Sequence, residues 1–116
     1  MTEFSATVAN DPRGMLLRLS GKLEYEAVGD FERAADQLAA SKPPFAVLDA
    51  TQLTFMNSAG IGAVIKLHRR LQGTGGELRV AALTPDMLRM LKLCYFDRVL
   101  KIFDSAEQAL GDSPTS

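Results

Sequence analysis

The chain has 116 residues, of which 47% are hydrophobic and 23% charged, a size and composition typical of one soluble globular domain. Its formal net charge is −1, so the molecule lacks the strong positive field that draws proteins to nucleic acid or to an anionic membrane. Cys94 is the only cysteine, which excludes an internal disulfide and a cysteine-rich metal site.

The beginning of the chain and its hydropathy predict a cytoplasmic protein. The first residues, MTEFSATVANDPRG, contain no basic segment followed by an apolar run, so we expect no signal peptide. No stretch approaches the ~20 apolar residues of a membrane span. We expect a single domain over residues 1–110, with a disordered polar tail over residues 111–116.

The first 23 residues predict a β-hairpin. Apolar residues alternate with polar ones over residues 4–8, which is typical of a half-buried strand. Residues 10–14 contain Asn, Asp, Pro and Gly and predict a turn. A second extended run follows from Met15 to Ser20, and we expect it to end at Gly21 to Leu23.

The next segments predict a helix and a buried strand. From Glu24 the apolar residues recur at helical spacing until Pro43 and Pro44 end the helix. The continuous apolar run from Phe45 to Leu48 is typical of a central strand covered on both faces. Residues 53–56 are expected to continue into a loop.

The second half of the chain alternates helices with strands. A helix is predicted from Ser58 to the glycines at 73–76, and a strand from Leu78 to Ala82. Thr84 caps a third helix, Val99 to Phe103 form a last strand, and a final helix is capped by Asp104 or Ser105. The predicted order ββαβαβαβα indicates an α/β fold with a mostly parallel sheet joined by right-handed crossovers.

The residues needed for catalysis are scarce. His68 is the only histidine, and we interpret it as part of a solvated helix face. Cys94 is interpreted as a small buried hydrophobic residue in a helix. Without a second histidine or a partner for the thiol, there is neither a nucleophile–base pair nor a histidine metal site. We therefore predict a protein that is not an enzyme and needs no cofactor or metal.

The basic residues Lys66, Arg69 and Arg70 leave two interpretations open. They form either a solvated helix face or a surface for an acidic protein partner.

The segment Thr51 to Gly62 places a hydroxyl group where a strand meets a helix. Ser58 lies in the first turn of the predicted helix, where unpaired N–H groups and the helix dipole favour a phosphate. Gly60 and Gly62 have no side chains, so another protein could approach closely. The alternative is that Ser58 is only the N-cap of the helix.

This segment resembles the signature loop of STAS-domain anti-sigma factor antagonists, the bacterial regulators of sporulation and general stress. Their pattern F-M-D-S-[ST]-G-[LIV]-G aligns with Phe55 to Gly62, and Ser58 falls on the phosphorylated serine. The resemblance covers nearly the whole chain: Leu19 to Leu23 resemble the family's L-x-G-x-L, and the predicted order of elements is that of the STAS fold.

The resemblance implies a function by partner switching. The dephosphorylated protein would bind an anti-sigma factor that is also a serine kinase of the GHKL type, and thereby free a sigma factor. That kinase would phosphorylate Ser58, and a PP2C-type phosphatase would reset it. The implied partner-binding loop consists of Asn57, Ser58, Ala59, Gly60 and Gly62. The resemblance leaves the oligomeric state open.

Three residues depart from the family pattern. Asn57 stands where the family usually has Asp, Ala59 replaces a second hydroxyl, and Tyr95 occupies a position where Gly is frequent. The first two leave open an alternative function, a STAS interaction module without phosphorylation, in a scaffold or a transport system. Tyr95 makes the conformation of its turn uncertain.

Overall fold

The computed structural model describes residues 3–111, and within that range the predicted order ββαβαβαβα is confirmed. The strands are β1 (Ser5–Asp11), β2 (Gly14–Leu23), β3 (Ala46–Met56), β4 (Leu78–Ala81) and β5 (Lys101–Phe103). The helices are α1 (Val28–Ala40), α2 (Ser58–Gln72), α3 (Pro85–Leu93) and α4 (Ala106–Gly111), with 3₁₀ turns at Tyr25–Ala27 and Phe96–Arg98.

The strands form one sheet in the order β1-β2-β3-β4-β5. The β1–β2 pair is antiparallel, and the other three pairs are parallel. The three parallel connections all step across the sheet in the same direction, so the right-handed rule places α1, α2 and α3 on one face. Their apolar sides form the main core with that face, whereas α4 packs on the opposite face against a smaller cluster.

Two strands extend further than the sequence pattern indicates. β2 continues through Gly21 to Leu23, and β3 continues to Met56 through residues predicted as a loop. The β2–β3 register shifts between Arg18 and Ser20 and again after Gly21. Irregularities of this kind disrupt the alternation of apolar and polar residues, so the pattern alone indicates a loop where the strand continues. β1 also pairs as far as Asp11, which shortens the predicted turn to two residues.

The burial predicted for Cys94 and for His68 is wrong in both cases. Cys94 is exposed rather than buried, because α3 ends at Leu93 and the thiol lies on the residue that caps it. His68 is buried with 3% exposure, because it lies one turn beyond Val64 and Ile65 on the core side of α2.

The turn at Tyr95 is preserved although the residue is not glycine. Tyr95 has φ 62° and ψ 16°, in the left-handed region that favours glycine after a helix. Its N–H donates to the carbonyl oxygen of Lys92 at 3.1 Å, so the chain reverses as it would with glycine.

Arg79 is a buried charge that the sequence pattern does not reveal. It lies on β4 with no exposed surface, and its guanidinium stacks on the Phe45 ring at 3.9 Å. Its Nε donates to Glu77 at 2.7 Å and its Nη1 to the carbonyl oxygen of Ala109 at 2.6 Å. The hydrogen bond from Arg79 to Ala109 therefore stabilises the packing of α4 on the sheet. This helix reaches Gly111, and residues 112–116 of the predicted tail lie outside the described residues.

Candidate partner-binding loop

The candidate site lies where β3 passes into α2. Because β2, β3 and β4 are parallel, this junction is at the carboxyl edge of the sheet, the edge where open α/β sheets usually bind other molecules. β3 ends at Met56 and α2 begins at Ser58, so Asn57 alone connects them.

Asn57, rather than Ser58, is the N-cap of α2. Its backbone is extended, and its Oδ1 accepts a hydrogen bond from the N–H of Gly60 at 3.1 Å. Its own N–H donates to the carbonyl oxygen of Leu23 at 3.3 Å, which ties the loop to the end of β2. The alternative that Ser58 serves as the cap is therefore wrong, since the preceding residue has that role.

Ser58 is exposed in the first position of α2, and its hydroxyl has no structural task among the described residues. The N–H groups of Gly60 and Ile61 are bonded to Asn57, whereas those of Ser58 and Ala59 find no acceptor in residues 3–111. The helix thus presents two free donors and the positive end of its dipole beside an exposed hydroxyl. This arrangement suits an anionic group attached to Ser58.

The two glycines of the loop have different surroundings. Gly60 is buried, and a Cβ there would lie 2.9 Å from the Cγ atoms of Leu23 and Met56 and would also clash with the Leu23 carbonyl oxygen. Gly62 is exposed, and a Cβ there would meet nothing within 4 Å. Gly60 therefore allows α2 to pack on its own sheet, and Gly62 alone leaves open surface beside Ser58.

Two exposed aromatic residues flank the loop and were not identified from the sequence. Phe55 is 39% exposed near the end of β3, and Tyr25 is 77% exposed in the 3₁₀ turn that packs beside α2. Phe55 is the last residue but one of β3, and Tyr25 follows the end of β2, which pairs with the end of β3 because Leu23 lies opposite Met56. The sequence does contain a signal for the exposure of Tyr25, which lies between Glu24 and Glu26. Charged residues are mostly exposed, so an aromatic residue between two of them is expected at the surface.

The basic residues of α2 are largely paired with acidic residues of α1. Lys66 lies 3.1 Å from Glu32, and Arg70 lies 2.5 Å from Asp36, on either side of a cavity of about 230 Å³. Arg69 is exposed, with no ion pair among the described residues. The surface therefore carries charges of both signs, and ion pairs across it link α1 to α2. This arrangement favours the interpretation as a solvated helix face over a basic surface for an acidic partner.

Comparisons with known proteins agree on one family. The family profile described as the STAS domain matches residues 4–109. An anti-sigma F factor antagonist of Paenibacillus polymyxa is 28% identical over 102 residues, covering 86% of this chain and 87% of that protein.

Solved structures share the fold. An anti-sigma factor antagonist from Mycobacterium paratuberculosis superposes with a TM-score of 0.85 at 21% identity, covering 93% of this chain and 92% of that one. The Bacillus cell fate determinant SpoIIAA in its phosphorylated form has a TM-score of 0.71 at 19% identity, covering 91% and 96%. Within residues 3–111 no helix is long and apolar enough to cross a bilayer. With the family profile spanning nearly every described residue, this chain belongs to the STAS domain family.

Proposed function

We propose that this chain is an anti-sigma factor antagonist that acts by partner switching in the cytoplasm, as a regulator rather than an enzyme. In its dephosphorylated state it binds an anti-sigma factor, and phosphorylation of Ser58 releases it. The observation that carries the proposal is the exposed Ser58 hydroxyl beside two free N–H groups at the start of α2. The similarity to the Paenibacillus antagonist over most of both chains supports it.

The switch follows from the different surroundings of the phosphate in the free and bound states. A phosphate on Ser58 adds about −1.5 to −2 charges near neutral pH. In the free protein that charge is hydrated and accepts from the N–H groups of Ser58 and Ala59, so the fold changes little. In the complex the phosphate must lose water against a surface shaped for a hydroxyl, and affinity falls.

The contact surface extends beyond the serine. Exposed aromatic residues at interfaces contribute much of the binding energy, and Phe55 and Tyr25 stand on the same sheet edge as Ser58. Gly62 lies one turn along α2 from Ser58, where its missing side chain lets a partner approach the helix backbone. We infer that the partner covers the loop, these two rings and the first two turns of α2.

We infer that the partner is a serine kinase of the GHKL type. It transfers the γ-phosphoryl group of ATP to Ser58 Oγ, the hydroxyl proton leaves, and ADP is released. A PP2C-type phosphatase hydrolyses the phosphate and restores the binding form. Asn57 is compatible with this role, because its amide oxygen caps α2 as the usual carboxylate would.

The proposal is tested by intact mass measurement after incubation with ATP and the GHKL-type kinase encoded nearest to this gene. We expect one added phosphate that maps to Ser58, and none on Ser58→Ala. Asn57→Asp, which restores the usual family residue and keeps the cap, should be phosphorylated at least as fast. A native chain that gains no phosphate, or gains it at Thr51 or Thr54, would overturn the switch. Such a result would favour the scaffold or transport-system module.

A further inference from the structure

The end of α3 and the turn after it form an exposed segment of unusual composition. We call the eight residues from Lys92 to Val99 the α3-end patch. Seven of them are exposed, and Phe96 is half-buried. Leu93 is 74% exposed, Tyr95 64% and Val99 46%. Three of the large hydrophobic side chains that are exposed in residues 3–111 thus fall within seven consecutive residues, and such a concentration favours a surface that meets another molecule.

The segment that contains the patch carries a net positive charge. Residues 89–101 contain four basic residues and one acidic residue, Asp97, a net charge of +3 within a chain whose net charge is −1. Lys92 and Arg98 form no ion pair with any residue that the structure describes, and Arg98 lies over the Tyr95 ring at 5.0 Å. The other two basic residues are partly neutralised, Arg89 by Asp86 and Lys101 by Glu77.

The patch lies at the opposite edge of the sheet from Ser58. α2 starts at the carboxyl edge, whereas α3 runs back from the carboxyl end of β4 to the amino edge, where β5 begins at Lys101. The rest of the chain carries a net negative charge, so the molecule has a positive apolar end at that edge. A local field of this kind orients a protein even when its net charge is close to zero.

The surroundings and the charge of the patch distinguish between possible partners. A helix or an extended peptide docks in a groove, whereas no residue of the patch lines any of the cavities of about 220 to 360 Å³ described beside α1. A second copy would bring one net positive patch against another across a two-fold axis. The water–lipid interface of an anionic bilayer suits a segment with exposed Leu93, Tyr95 and Val99, in which Lys92 and Arg98 are exposed as well and form no ion pair within residues 3–111.

We propose that the α3-end patch binds the surface of an anionic membrane, with Leu93, Tyr95 and Val99 inserted among the headgroups and Lys92 and Arg98 beside the lipid phosphates. Binding at this edge holds the molecule with Ser58 and its loop turned away from the bilayer. The surface is independent of the proposed switch, because none of its residues belongs to the partner-binding loop.

The test is co-sedimentation of the full chain with vesicles of phosphatidylglycerol and phosphatidylcholine, against vesicles of phosphatidylcholine alone. Each basic residue near an anionic surface strengthens binding by about fivefold. Lys92→Glu with Arg98→Glu should therefore weaken binding by roughly 25-fold or more. The matched control, Arg18→Glu with Lys22→Glu, makes the same change of charge at two exposed positions of β2 and should bind like the native chain.

A second variant tests the apolar side chains without changing charge. Leu93→Ser with Tyr95→Gly removes two inserted groups, and it should fold because glycine relieves the positive φ at residue 95. We expect it to lose binding as well, and native binding to weaken as salt is raised.

Three results would overturn the proposal. The first is no preference of the native chain for the anionic vesicles. The second is undiminished binding by either patch variant, or equal loss in the β2 control. The third is a dimer in sedimentation velocity that both patch variants abolish while vesicles bind neither form, which would assign the patch to a second copy.

Discussion

At the scale of single residues, Gly60 and Gly62 show how two similar positions of one helix serve different needs. Gly60 faces the end of β2, and the room for its Cβ is already occupied by Leu23 and Met56. Gly62 faces open space. The sequence presents both as part of one pattern, and only the packing of α2 on the sheet separates them.

These two glycines give a matched pair of stability predictions. Gly60→Ala should lower the free energy of unfolding by about 2 kcal/mol, because either the helix or the Leu23 carbonyl must move. Gly62→Ala should raise it by about 0.5–1 kcal/mol, since alanine is the better helix former in an exposed position. Urea unfolding of both variants measures the difference. A Gly60→Ala protein as stable as the native chain would contradict the close packing of α2 against Leu23 and Met56.

Residue roles at the loop were only partly predictable. The pattern located Ser58 at a helix start, but it could not decide which of two adjacent polar residues caps the helix. That choice depends on the backbone of Asn57, which is held extended by its hydrogen bond to Leu23. Leu23 lies far away in the chain, so the deciding contact arises only once β2 and β3 pair.

At the scale of elements, α2 contains a buried imidazole that makes its packing sensitive to acid. His68 is 3% exposed, and both ring nitrogens lack hydrogen-bond partners among residues 3–111. Burial lowers the pKa of His68 below its usual value of 6.5, and the nearby Glu77 carboxylate only partly opposes this. The folded protein therefore holds the neutral ring.

The pH dependence follows from that lowered pKa. Below about pH 6.5 the unfolded chain binds a proton that the folded chain resists, so the free energy of unfolding should fall as the pH drops. The slope is at most about 1.4 kcal/mol per pH unit from this one group. Urea unfolding between about pH 5 and 8 measures it.

His68→Leu is the control, since it keeps an apolar volume and removes the titration. Its free energy of unfolding should be nearly flat over the same range. The carboxylates with lowered pKa values, Asp11, Glu77 and Glu107, lose their contribution only at lower pH. An equal slope in the native chain and in His68→Leu would show that the imidazole is not held neutral.

Other elements were predicted with different success, for physical reasons. Thr84 caps α3 as expected, with its hydroxyl accepting from the N–H of Met87, because capping depends on residues close in sequence. The Ser105 hydroxyl likewise accepts from the N–H of Gln108 at the start of α4. The burial of Arg79 was not predictable, because Phe45 reaches it only when β3 pairs with β4, and the carbonyl oxygen of Ala109 only when α4 docks.

At the scale of the whole molecule, two candidate interaction surfaces lie at opposite ends of the strands. The carboxyl edge holds Ser58, its free N–H groups and two exposed aromatic rings, and the amino edge holds the α3-end patch. The order of elements followed from periodicity, because each crossover has its own helix and strand pattern. The two edges could not be assembled from the sequence, since each joins segments that lie far apart in the chain.

The central claim is that a negative charge on Ser58 strongly weakens partner binding without altering the fold. It is tested most directly by titrating the native chain, Ser58→Asp and Ser58→Ala against the anti-sigma kinase with nucleotide present, and by comparing their melting temperatures. An unpaired buried charge costs about 2–5 kcal/mol at an interface, so Ser58→Asp should bind roughly 30-fold more weakly or worse. Ser58→Ala should bind like the native chain and remain bound in ATP, and all three should melt within a few degrees of one another. Equal affinities of Ser58→Asp and Ser58→Ala would contradict the switch.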